Sequence, residues 1–137
     1  MNKEEKKNYL KGYQNACIRI LNLQEQLEEM QEAVRSIEGR QLTDMPKAKN
    51  KKRDLSDLFV KIEVFQEKID DAIHCSIEKC MEIEDAVMNL EDAREARVLR
   101  LRYIKFMKWE EIQEEMCYSV KQIQRIHEKA ITHLRMS

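Results

Sequence analysis

Apolar residues in the first part of the chain recur at alternating steps of three and four: Leu10, Tyr13, Cys17, Ile20, Leu23, Leu27, Met30, Val34 and Ile37. That spacing is the seam of a coiled-coil helix and predicts one rod over residues 3–38. The step from Ile20 to Leu23 is a three where a four is due, a stammer that overwinds the seam locally. Gly39 follows Glu38 and predicts the helix stop. The stretch "GRQLTDMPKAKNKKRD", residues 39–54, holds the sole proline and reads as the linker. The pattern resumes at Leu55 and continues through Leu58, Ile62, Phe65, Ile69, Ile73, Ile77, Cys80, Ile83, Val87 and Leu90. A linker of that length lets the second rod fold back on the first as an antiparallel hairpin.

Beyond Val87 the elements shorten. Asn89 offers a break, and Asp92 in "NLED" puts acidic residues in the first turn of a new helix. Three helices are expected, over about 90–105, 109–116 and 119–136. Ser119, with Gln122 three residues on, makes "SVKQ" a capping box. Ile112 and Met116 face inward from the second of these helices, and "CYS" forms the turn. Ile123, Ile126, Ala130, Ile131 and Leu134 make the buried face of the third, which leaves Lys121, Gln122, Gln124, Arg125 and Lys129 pointing out. The expected fold class is all-α: a long, coiled-coil-like antiparallel helical hairpin over residues 1–89, then a three-helix helix-turn-helix unit over residues 90–137.

The composition agrees. The chain has 137 residues with two glycines, one proline and 37% charged residues, which favours long helices over sheets. The net charge of −1 hides a split: residues 92–137 carry ten Lys/Arg against seven Asp/Glu, and residues 1–91 carry fifteen against nineteen. A basic end on an acidic body suits a chain of which one end meets a polyanion. No apolar run is long enough to cross a bilayer and no h-region follows the first residues, so a cytoplasmic protein without a membrane partner is expected. Cys17, Cys75, Cys80 and Cys117 form no CxxC pair and read as plain thiols. In "HCSIEKC" the two cysteines are five apart and leave a helix in different directions, so no metal site or cofactor is expected. There is no glycine-rich phosphate loop and no Ser/His/Asp constellation, so the chain is not expected to be an enzyme.

The outward residues of the last helix carry chemistry suited to a DNA groove. Gln and Arg can make bidentate hydrogen bonds to adenine and guanine edges. The early turns of a recognition helix are the part that reaches bases, and Lys129, further along, suits phosphate. A small helical bundle with a polar solvent face fits the same periodicity. The basic run "KAKNKKR", residues 47–53, reads either as a solvated loop or as a loop that grips phosphate. Tyr103 and Trp109 read as core aromatics at a helix junction, with base stacking as the alternative. His127 and His133 read as a surface pair on the phosphate side.

The stretch "EDAREARVLRLRYIKFMKWEEIQEEMCYSVKQIQRIHEKAITHLR", residues 91–135, resembles the fourth conserved region of bacterial primary sigma factors. It is similar in particular to small phage-encoded sigma-like regulators that switch on late genes. "REARVLRLRY", then "WEEI", then Ser119, Gln122, Ile123, Arg125, Ile126, His127, Lys129, Ala130 and Leu134 carry the resemblance in order and spacing. The resemblance implies that Ser119 starts the recognition helix, that Val120, Lys121, Gln124 and Arg125 stand where such factors contact bases, and that Arg102 and Lys129 lie near the DNA backbone. Val120 could at most touch a thymine methyl. Four positions depart from the pattern: Phe106 and Cys117 replace glycines, Lys108 replaces a Ser/Thr cap, and Gln113 replaces a small residue at the helix crossing. The implied function is a sequence-specific, DNA-binding phage or prophage late-gene activator. Its expected partners are double-stranded DNA, host RNA polymerase as a further candidate, and its own copies through residues 1–88. A phage DNA-packaging recognition subunit and a coiled-coil adaptor that binds no DNA are the rival expectations.

Overall fold

The computed structural model describes residues 1–41 and 48–136, with backbone alone at 40–41 and 48–54. Among them six helices follow in chain order: α1 Lys3–Leu10, α2 Gly12–Gln41, α3 Ala48–Met88, α4 Ala93–Tyr103, α5 Trp109–Met116 and α6 Val120–His133. No strand occurs among the described residues, and the protein is all-α.

The helix ends depart from the sequence pattern at three places. The first rod is interrupted at Lys11, just before Gly12, which separates α1 from α2. Gly39 does not end α2, which runs on to Gln41 with Gly39 at an ordinary negative φ. A glycine costs about 1 kcal/mol inside a helix, and one such cost does not stop a helix without a turn to receive it. Ala48 already begins α3, so the basic residues at 48–53 follow helical backbone rather than a loop. Residues 42–47 of the expected linker lie outside the described residues. At the other end, α3 stops at Met88 and Asp92, not Asn89, caps α4, accepting the Arg94 N–H at 2.8 Å.

The chain forms two compact units, residues 1–17 with 75–137 and residues 18–74. The first therefore joins both ends of the expected hairpin to the helix-turn-helix segment, where the sequence pattern divides the chain at 89/90. Within it, α1 runs antiparallel to the last turns of α3: the Tyr9 hydroxyl donates to Glu82 at 2.6 Å, and Lys79 Nζ comes within 3.5 Å of where a Cβ on Gly12 would sit. One core cluster gathers Leu10, Ile83, Val87, Leu99, Tyr103, Ala130, Ile131 and Leu134. A second gathers Val98, Leu101, Ile112 and Ile123 beneath Trp109, Met116 and Ile126. α4 thus has a core on either side of it, facing α1 and α3 with one set of residues and α5 with the other.

In the second unit, Ile20, Leu23, Leu27, Val34 and Ile37 of α2 are less exposed than their neighbours, and Met30 is half-buried, as the seam requires. The seam of α3 follows the expected register through Ile69 and again from Cys80 to Leu90, and differs between them. Ile73 and Ile77 are 36% and 50% exposed, while Ser76 is only 6% exposed and Ala72 is half-buried. Strict alternation of three and four from Ile69 leads to Ala72 and Ser76, so the period of the helix, not the size of the apolar side chain, sets its covered face.

Candidate nucleic-acid interface

Ser119 begins α6 with a reciprocal cap. Its Oγ accepts the Gln122 N–H at 3.2 Å, and Gln122 Oε1 accepts the Ser119 N–H at 3.1 Å. Both side chains belong to the cap before they meet any ligand, while the Gln122 amide NH2 stays available to donate. Ile123, His127, Ala130 and Ile131 face inward. Lys121, Gln124, Arg125 and Lys129 are exposed, and Val120 is half-exposed beside the cap. Among the described residues no hydrogen bond or ion pair engages those four polar side chains. The structure therefore brings seven of the eight expected residues onto the first turns and outer side of one helix.

The two positions that depart from glycine, Phe106 and Cys117, both take left-handed backbone. Cys117 has φ 60° and ψ 36°, a left-handed end to α5, and its N–H reaches the Gln113 carbonyl at 2.9 Å. Phe106 has φ 58°, and the Met107 N–H closes the loop onto the Leu101 carbonyl at 3.0 Å. Left-handed backbone costs a non-glycine residue about 1–2 kcal/mol. At Phe106 packing offsets part of that cost, because its ring meets Tyr13 at 5.4 Å between centroids. Lys108 starts α5 with no acceptor to offer as a cap, and the Glu111 carboxylate instead takes the Lys108 N–H at 3.5 Å. Gln113 is exposed, so its added bulk points away from the crossing of α5 with α6.

Arg102, the eighth residue, is turned to a structural task. Its Nη1 donates to the Met107 carbonyl at 2.9 Å, and its guanidinium lies 4.3 Å from the Trp109 ring centroid. Trp109 in turn packs edge-on against His127 at 4.9 Å. His127 is not a surface residue: it is 4% exposed, and its Nε2 is hydrogen-bonded to the Tyr103 hydroxyl at 2.8 Å. Burial pushes its pKa down to about 4 and that of Tyr103 up to about 12, so both are neutral at physiological pH. The position could have been read from the sequence, since 127 falls between Ile123 and Ile131 on the inward face. His133 is exposed as expected, but its Nδ1 binds both oxygens of the buried Glu95 carboxylate at 3.0 Å, tying the end of α6 to the first turn of α4.

Sequence reasoning placed residues 3–10 in the first rod and missed their contacts with α6. Lys6 Nζ donates to the carbonyls of Ile131 and Thr132 at 3.1 and 3.3 Å, groups that the end of α6 leaves unpaired. Lys7 Nζ donates to Glu128 Oε1 at 3.1 Å, and Lys3 Nζ lies 3.6 Å from the other oxygen. Asn2 caps the start of α1 by accepting the Glu5 N–H at 2.8 Å, a local signal, whereas the partners of Lys6 and Lys7 lie more than a hundred residues away. The electrostatics also limit the approach of a polyanion. α5 exposes Glu110, Glu111, Glu114 and Glu115, whereas α6 exposes Lys121, Arg125 and Lys129. A phosphate backbone is therefore attracted by α6 and repelled by the outer side of α5.

The chain belongs to the family described as "protein of unknown function (DUF1492)", whose model matches residues 38–135. No curated protein and no solved structure matches it. The matched span takes in the whole of α4, α5 and α6 and leaves out α1.

Proposed function

We propose that this protein is a sequence-specific DNA-binding transcription regulator, a late-gene activator of a phage or prophage acting in the bacterial cytoplasm. The observation that carries the reading is the outer face of α6. A capped helix offers Lys121, Gln124 and Arg125 within its first two turns, unengaged, on a rigid core, and steadied by a left-handed turn. Gln124 and Arg125 have the donors to read base edges, and Lys121 and Lys129 those to hold phosphate. The sigma-like order of residues 91–135 supports the same reading and makes host RNA polymerase a candidate partner.

Exposed apolar residues in the second unit, Ile18, Leu21, Phe59, Val60 and Val64, support self-association through the helical pair. Two copies on one duplex would convert weak single-site binding into an intramolecular second contact, worth about 10²–10⁴ in affinity. The acidic side of α5 favours a second reading, a helical adaptor that binds a protein and no DNA. Incubation with the DNA that flanks its own coding sequence, followed by footprinting, decides between them. Protection of a discrete site near a promoter supports the regulator. Protection at a packaging start supports a packaging subunit, and no protection at any salt concentration supports the adaptor.

A further inference from the structure

The outward side of α6 carries one acid. Lys121, Arg125 and Glu128 follow at steps of four and three, so they share a stripe along the helix. An uncompensated carboxylate there would repel the phosphates that its neighbours attract. Glu128 is not left uncompensated: Lys7 donates to it at 3.1 Å and Lys3 approaches to 3.6 Å. Its carboxyl is held below the usual carboxylate range, first by the Lys7 hydrogen bond. The neighbouring His127, neutral at physiological pH, supplies no cation at 3.7 Å. Both lysines come from α1, which Leu10 anchors in the core and which Lys6 ties to the carbonyls of Ile131 and Thr132.

We propose that Lys7, with Lys3 beside it, is a positioning residue of DNA reading that neutralises Glu128, so that α6 offers phosphate an uninterrupted cationic stripe. This rests on the DNA-reading function proposed above. It makes α1, which lies outside the span matched by the family model, part of the reading unit. The lysines act through Glu128 and do not themselves touch the duplex.

The test uses the full chain and the duplex protected in footprinting, titrated at several salt concentrations. Lys7→Ala is expected to weaken binding about fivefold, the scale of one exposed ion pair. Glu128→Gln in the Lys7→Ala background is expected to restore wild-type affinity within about twofold, and Lys7→Arg to retain it. If Lys7→Ala unfolds the chain, Lys7→Gln, which keeps the aliphatic stem, takes its place. Unchanged affinity in the lysine variant overturns the proposal. So does failure of Glu128→Gln to rescue, above all with a salt slope reduced by about one, which marks direct phosphate contact. A merely structural loss would not be rescued at Glu128. Wild-type protein that protects no duplex overturns the DNA reading and this inference together; wild-type binding without rescue overturns this inference alone.

Discussion

The Tyr103 hydroxyl and the His127 imidazole meet at 2.8 Å in the core, joining α4 to α6 by a buried hydrogen bond. Burial lowers the His127 pKa from 6.5 to about 4. The unfolded chain therefore binds the proton more readily, and the stability this histidine supports is fully present above pH about 6.5. It is lost as pH falls from there through about 4, by up to about 2 kcal/mol once partial solvent screening is allowed for. Denaturant midpoints across this window should fall with acidity, and His127→Phe should flatten that part of the profile. An unchanged profile would show that His127 titrates normally.

Cys117 holds a left-handed turn that glycine adopts at no steric cost. Cys117→Gly should stabilise the chain by about 0.5–1 kcal/mol, the removed strain being partly offset by the greater freedom of unfolded glycine. Urea titration measures it. Phe106→Gly should not stabilise in the same way, because it also removes the ring that packs on Tyr13.

Leu10 is fully buried against residues from α3, α4 and α6. Leu10→Ala should cost about 2–4 kcal/mol, and the fragment 90–137, which lacks Leu10, Ile83 and Val87, should be monomeric and at most marginally stable. Circular dichroism with thermal melting checks both. Cooperative melting of the fragment at the temperature of the intact chain would show that α1 and α3 are dispensable to this core.

The exposed apolar residues of α2 and α3 make the oligomeric state measurable. The intact chain should be a dimer or higher oligomer by light scattering, and charged replacements at Phe59 and Val64 should shift it toward monomer. A monomer at binding concentrations would remove avidity as its route to affinity.

What the sequence made legible was local. The capping box at Ser119, the inward stripe of α6 and the two turn positions without glycine all lie within a few residues of the structure they specify. The partners of Lys3, Lys6 and Lys7 were not legible, because contacts across more than a hundred residues leave no mark in a local pattern. At Ile73 and Ile77 the sequence pattern follows apolar size, whereas the period points to Ala72 and Ser76. By polarity His127 reads as a surface group, although its place in the period puts it inside. The resemblance implies that Arg102 lies near the DNA backbone, and its hydrogen bond to Met107 and its stacking on Trp109 leave no mark in the spacing.

In the proposed function the exposed face of α6 reads bases. Titrating the wild-type chain, Gln124→Ala and Arg125→Ala onto the protected duplex and onto random duplex at matched salt decides it. Each substitution should weaken specific binding by about 1–3 kcal/mol and relax the preference at one base position, while binding to random DNA changes little. Equal losses on both duplexes would contradict base reading and reduce α6 to a phosphate-binding surface.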